Sequence, residues 1–116
     1  GTGRRMRFNY NMKREMGGKT GTTNRNSDAW FMGFTPTLVS GCWVGGEDRD
    51  IHFDSMNMGQ GATMAMPIWV YYMRKVFNDK RLGYSEDAIF DLPENYNPCY
   101  TEATQAEYNG IDEIYE

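Results

Sequence analysis

The sequence predicts an α+β unit: a three-stranded antiparallel meander over about residues 15–23, 28–35 and 38–45, packed against a helix over about residues 63–78. Two observations carry this expectation. Three apolar or aromatic runs are separated by two short clusters of turn-forming residues, a spacing that suits hairpins and leaves no room for a crossover. Beyond Gly59 to Gly61 the apolar residues change from alternation to steps of three and four, which sets an apolar face on a helix.

The elements follow in order. From Gly1 to Gly17 single apolar residues (Met6, Phe8, Tyr10, Met12, Met16) stand among Arg and Asn, and the alternation from Met6 to Met12 points to an extended segment. The run GGKTGTT, Gly17 to Thr23, reads as the first strand. Asn24-Arg25-Asn26-Ser27 then supplies side chains that bond their own backbone in turns. The second strand, Asp28 to Thr35, is rich in aromatics and closes at Thr35-Pro36-Thr37, where proline presets φ for a tight turn. Leu38 to Val44 is the third, ending at Gly45-Gly46.

Ala62, Ala65, Trp69, Tyr72 and Val76, with Ile68 and Met73 alongside, form the expected apolar face of the helix. Pro67 fits only near its start. Arg74, Lys75, Lys80 and Arg81 gather at its C-terminal end, where cations meet the negative end of the helix dipole, and Gly83 is the expected stop signal. Trp30, Trp43 and Trp69 are expected to share one core between sheet and helix.

At 116 residues and 40% hydrophobic, the chain holds material for one modest domain. Charge divides it into residues 1–81, with all twelve Lys and Arg against seven acids, and residues 82–116, an acidic, mostly irregular extension with nine acids and no base. Within that extension Ile89, Phe90 and Leu92 could tuck a short piece against the core, whereas Thr101 to Glu116 reads as a solvated tail. The basic residues of the first part are interleaved with loops and glycines rather than aligned on one helix, so no nucleic-acid partner is expected. Cys42 reads as a small buried hydrophobe, and its pairing with Cys99 stays open. The longest apolar run, Met64 to Met73, is ten residues, half of the roughly twenty that span a bilayer. The chain starts at Gly rather than Met, as a piece of a longer protein would.

His52, in the charged stretch Glu47 to Asp54, invites a metal reading, but a calcium loop from Asp48 would put Phe53 at its glycine and Gly59 at its glutamate. No metal and no cofactor are expected. GGKTGTT poses a sharper choice. A phosphate-binding loop requires G-x-x-x-x-G-K-[ST] leading into a helix. Residue 13 is Lys where that motif needs Gly, and β-branched Thr22 and Thr23 enter a turn instead. As a strand, Lys19 offers a positive charge, Thr20 and Thr22 offer hydroxyl donors, and Gly21 lets a ligand lie against the backbone. Such an edge suits an extended peptide with a terminal carboxylate.

The stretch GGKTGTTNRNSDAWFMGFTPTLVSGCWVGGEDR, followed by GQGATMAMPIWVYYM, resembles the end of the transpeptidase domain of bacterial class A, bifunctional penicillin-binding proteins. Asp28-Ala29-Trp30-Phe31, Gly33-Phe34-Thr35-Pro36, Leu38-Val39, Gly41, Trp43-Val44-Gly45 and Pro67-Ile68-Trp69 match in order, and Gly1-Thr2-Gly3 looks like the G-T-G just upstream of the Lys-Thr-Gly strand. The resemblance covers about residues 1–80. It implies a C-terminal fragment of the serine β-lactamase/transpeptidase-like fold, in which a central sheet is sandwiched by helices.

By this resemblance, Lys19 would charge the site and serve the proton relay, Thr20 and Thr22 would bind the carboxylate of a stem peptide or β-lactam, the Thr22 N–H would supply half of an oxyanion hole, and Gly21 would permit close approach. The family nucleophile is a serine in S-x-x-K, and Ser27, Ser40, Ser55 and Ser85 are followed three places later by Trp30, Trp43, Met58 and Ala88. The fragment alone is therefore expected to be inactive.

Its parent would be a serine-type D,D-transpeptidase of peptidoglycan biosynthesis, with a separate glycosyltransferase domain. It would be anchored by an N-terminal transmembrane helix and act on the periplasmic side of the inner membrane. The partners implied are stem peptides, β-lactams and the upstream half of the domain. The third strand would lack a neighbour here, so self-association through 38–45 is expected. The alternative is a non-catalytic module that binds a peptide or protein along the Lys-Thr-Gly strand edge.

Overall fold

The structure, a computed structural model, describes residues 1–94. Helix α1 (Arg4–Phe8) leads to strand β1 (Gly17–Thr22), a 3-10 turn at Asn24–Asn26, strands β2 (Asp28–Phe34) and β3 (Val39–Gly45), a single helical turn α2 (Met56–Gly59), helix α3 (Gly61–Asn78) and a 3-10 turn at Lys80–Leu82. The sheet is antiparallel in the order β1-β2-β3, and α3 packs across all three strands. Meander and helix stand where alternation and period place them.

Register divides the sheet into two faces. Thr22, Ala29 and Val44 lie in one row across the strands, Thr20, Phe31 and Cys42 in the next, and Gly18, Gly33 and Ser40 in the third. These rows face α3, because successive side chains alternate across a strand and Ala29 and Phe31 are buried in the core with Ala65, Met66, Trp69, Val70 and Met73. The Trp69 indole is the centre of this contact. It meets the Phe31 ring edge-on at 5.1 Å and lies where a side chain on Gly33 would be. Its Nε1 donates to Ser40 Oγ at 2.8 Å and to the Ser40 carbonyl at 3.2 Å. Burying the ring therefore leaves no polar atom unpaired.

The shared core expected for the three tryptophans is corrected. Trp69 is 1% exposed, whereas Trp30 and Trp43 are 44% and 47% exposed on the opposite face of the sheet. The reason is strand parity: Trp30 neighbours buried Ala29 and Phe31, so it must point away from them. Cys42 is likewise half-buried rather than enclosed, and burial pushes its thiol pKa up.

The helix differs from expectation at three points. It starts at Gly61, so Pro67 is inside it, at the seventh position. The carbonyl that proline leaves without a donor belongs to Thr63, an exposed residue that water can serve. At 100° per residue Tyr72 falls about 60° from Trp69 on the side away from Met73, so Tyr72 and Ile68 are exposed while Met66, Val70 and Phe77 complete the buried face. Gly83 does not end α3. It adopts φ 73° after the 3-10 turn, while the helix stops at Asn78 because the Asp79 carboxylate takes the Arg81 N–H at 3.1 Å and its guanidinium at 2.6 Å.

Residues 4–8 are helical rather than extended. Met6 and Met12 both reach the core, and the chain turns between them through Asn11 at φ 52°, closed by a 3.1 Å bond from the Met12 N–H to the Met6 carbonyl. Alternation here reflects two anchors and a turn. Beyond the helix, Phe90 packs against Phe34 at 5.8 Å and Arg14 pairs with Glu86, whereas Ile89 and Leu92 are exposed. Cys99 and the stretch from Thr101 to Glu116 lie outside the described residues.

Candidate functional site

Strand β1 is an edge of the sheet among the described residues. Parity sends Lys19 and Gly21 to the outer face and Thr20 and Thr22 to the α3 face. The Thr23 N–H donates to the Asp28 carbonyl at 3.1 Å, which makes that pair the hydrogen-bonded type. By the alternation of antiparallel ladders, Gly21 and Lys19 then bond to β2, while the backbone N–H and C=O groups of Gly18, Thr20 and Thr22 face the open edge. Thus one row of main-chain groups is flanked by an ammonium on one side and two hydroxyls on the other.

Local contacts hold these groups. Lys19 Nζ donates to the Thr20 carbonyl at 2.8 Å. Thr20 Oγ1 stands 3.5 Å from Thr2 Oγ1, and Thr22 Oγ1 accepts the Gly61 N–H at 3.1 Å. Gly21 faces Trp30, and a Cβ there would stand 3.2 Å from the Trp30 Cβ. All four expected site residues therefore lie on one short strand, split between its two faces.

The far end of β1 is pinned by Asp28. Its Oδ2 accepts from Thr23 Oγ1 at 3.1 Å and Ser27 Oγ at 3.0 Å, its Oδ1 accepts from Trp43 Nε1 at 2.9 Å, and its N–H donates to Thr23 Oγ1 at 3.0 Å. The Trp43 bond first, and the Ser27 hydroxyl next, hold the Asp28 pKa below the ordinary carboxylate value. Arg25 and Asn26 take positive φ in the turn, and Asn26 is tied to the following loop by a 3.3 Å bond from its side chain to the Phe53 carbonyl. By sequence alone Asp28 is only the first residue of the second strand. The run of Thr23, Ser27 and Asp28 around a turn was the available signal for this knot.

Beside the start of β1 a concavity of about 650 Å³ is lined by Arg4, Arg7, Lys13, Arg14, Gly17 and Phe90 among others. Ser27 and Ser40 are engaged in the structural bonds described above. Among the described residues no group of three His, Cys, Asp or Glu side chains could hold a metal ion, and no helix is long and apolar enough to cross a membrane.

No family model matches the chain. Penicillin-binding protein 1A of Neisseria meningitidis is 43% identical over 67 residues, which are 58% of this chain and 8% of that protein. The Aquifex aeolicus protein of the same name is 40% identical over 92 residues, 75% of this chain and 12% of its relative. The crystal structure of penicillin-binding protein 1A from Haemophilus influenzae superposes with a TM-score of 0.64 at 36% identity, over 81% of this chain and 13% of that one. This chain is homologous to a segment of class A penicillin-binding protein 1A. It spans 8 to 13% of the length of these relatives, and its sheet and helix are those of the corresponding region of penicillin-binding protein 1A.

Proposed function

We propose that the chain is part of a peptidoglycan D,D-transpeptidase, which cross-links cell-wall stem peptides by acyl transfer and is acylated by β-lactams, and that it contributes the substrate-holding strand. The open edge of β1 carries this reading. An extended peptide laid along it would find main-chain partners at Thr20 and Thr22, as an added strand does. Lys19 would draw the terminal carboxylate and assist proton transfer, the hydroxyls of Thr20 and Thr22 would donate to that carboxylate, and Gly21 would leave the edge unobstructed. The outward Thr22 N–H would meet the oxyanion as negative charge develops on the attacked carbonyl.

The serine that forms the acyl-enzyme would come from another part of the parent, since no serine here stands in S-x-x-K. Residues 1–81 would belong to the transpeptidase domain and residues 82–116 would extend it. The parent would carry a glycosyltransferase domain, need no cofactor and work on the periplasmic side of the inner membrane, anchored by a transmembrane helix of its own.

Labelling with a fluorescent penicillin tests the reading. The full-length parent is expected to label covalently, and this chain alone is expected not to. A parent that fails to label removes the transpeptidase assignment. Labelling of the isolated chain removes the claim that the nucleophile lies elsewhere.

A further inference from the structure

Helix α3 begins against the strand proposed to hold substrate. The first N–H groups of a helix have no partner within it. Gln60 offers its carbonyl to the N–H groups of Thr63 and Met64, at 2.9 and 3.0 Å, but its side chain does not cap the helix. The Gly61 N–H instead donates to Thr22 Oγ1, 39 residues away in sequence. A second observation shows that this contact is close-fitting. A Cβ on Gly61 would collide with the Trp30 carbonyl, and would stand 2.8 Å from the Gly21 carbonyl and 3.2 Å from the Thr20 Cβ. Any side chain at residue 61 would lift the start of α3 from β1 and β2.

A threonine hydroxyl has one proton to give and two lone pairs. The Gly61 N–H occupies a lone pair, so the hydroxyl proton cannot point back at it and is left for an acceptor elsewhere. We propose that Gly61 is a positioning residue, whose amide fixes the Thr22 hydroxyl as a donor to the carboxylate of the bound peptide or β-lactam. The inference rests on the reading of β1 as the substrate-holding strand. It adds that carboxylate recognition is set from α3 and not by β1 alone.

Two measurements test it. In this chain, amide hydrogen exchange read by NMR should show Gly61 protected in the wild type and in Thr22→Ser, and about tenfold or more faster in Thr22→Val. Equal Gly61 exchange in all three overturns the bond, whatever the protein does. In the full-length parent, the second-order rate of acylation by a fluorescent penicillin should fall about tenfold or more in both Gly61→Ala and Thr22→Val, and stay near wild type in Thr22→Ser. The double variant Gly61→Ala/Thr22→Val should be no slower than the slower single, because both remove one device. Multiplying defects would make Gly61 merely structural and overturn the proposal. A wild-type parent that does not label overturns the substrate reading and the carboxylate role with it, while the exchange result still decides the bond.

Discussion

The two faces of the sheet both carry aromatic residues and have opposite fates. On the inner face Phe31 and Gly33 receive Trp69, and Phe31, Trp69, Met66, Val70 and Met73 are almost wholly removed from water. On the outer face Trp30, Met32, Phe34 and Trp43 stand on the same strands and remain 44 to 47% exposed. The difference lies in what covers each face, since the outer face carries the larger apolar side chains and still stays open to water. An aromatic residue on a strand commits to burial only when a second element reaches it. The inner face therefore holds this unit together. Among the described residues, the outer face and the two strand edges are left open to water.

Substitutions on paired positions can break that contrast. Trp69→Ala removes the ring from Gly33 and Phe31 and strips Ser40 of its donor, so it should cost about 3–5 kcal/mol. Trp43→Ala on the outer face should cost about 1 kcal/mol or less. Urea denaturation of both variants measures the gap, and equal losses would mean that the outer face is as well packed as the inner. Glycines give the next largest effect. Gly33→Ala drives a methyl into the Trp69 indole and should cost about 1–3 kcal/mol. Gly21→Ala meets Trp30 at a distance a small shift can absorb, and should leave stability within about 1 kcal/mol of wild type in the same denaturation series.

The edge of β3, which has no neighbouring strand among the described residues, sharpens the comparison further. Val39 is 70% exposed there, and an unpaired apolar edge recruits another strand. Sedimentation velocity should show concentration-dependent dimers that Val39→Lys weakens about tenfold, since charge on an edge opposes pairing. A wild-type chain that stays monomeric up to millimolar concentration would remove this expectation.

The smallest effect concerns pH. The folded-state pKa of Asp28 is depressed by its Trp43, Ser27 and Thr23 bonds, so the unfolded chain binds this proton more readily. The contribution is fully present above the unfolded value of about 3.9 and is lost as pH falls through the folded value. Asp28→Asn should flatten the loss of thermal stability between about pH 5 and pH 2 without changing the slope above pH 6. An unchanged acid slope would show that Asp28 is not held as the geometry requires.

Much of the architecture was legible because it depends on near-neighbour chemistry. GGKTGTT followed by Asn24 to Ser27 specifies a strand and a turn. The steps from Ala62 to Val76 specify a helix, and the order of Asp28-Ala29-Trp30-Phe31, Trp43-Val44-Gly45 and Pro67-Ile68-Trp69 carried the resemblance to penicillin-binding proteins. Other features stayed illegible. The early Met6 to Met12 alternation hid a helix, since two anchored side chains and a left-handed Asn11 produce the same spacing as a strand. Gly83 looked like a helix stop although Asp79 already ended α3. Tyr72 and Met66 exchanged places because the apolar arc on a helix can be rotated by one position without altering its period. The Asp28 knot was missed because it needs the turn closed before its partners meet.

By itself, then, the sequence determined the strands, the helix, the family resemblance and the position of Lys19 to Thr22 on one strand, all properties of local pattern. Only the tertiary structure decided which tryptophan is buried, that the main-chain groups of Thr20 and Thr22 face an open edge, and that the Gly61 amide reaches the Thr22 hydroxyl. Those outcomes require α3 to dock on the sheet. A contact between residues 22 and 61 is fixed by packing and by the absence of a Cβ at Gly61, neither of which leaves a periodic trace in the chain.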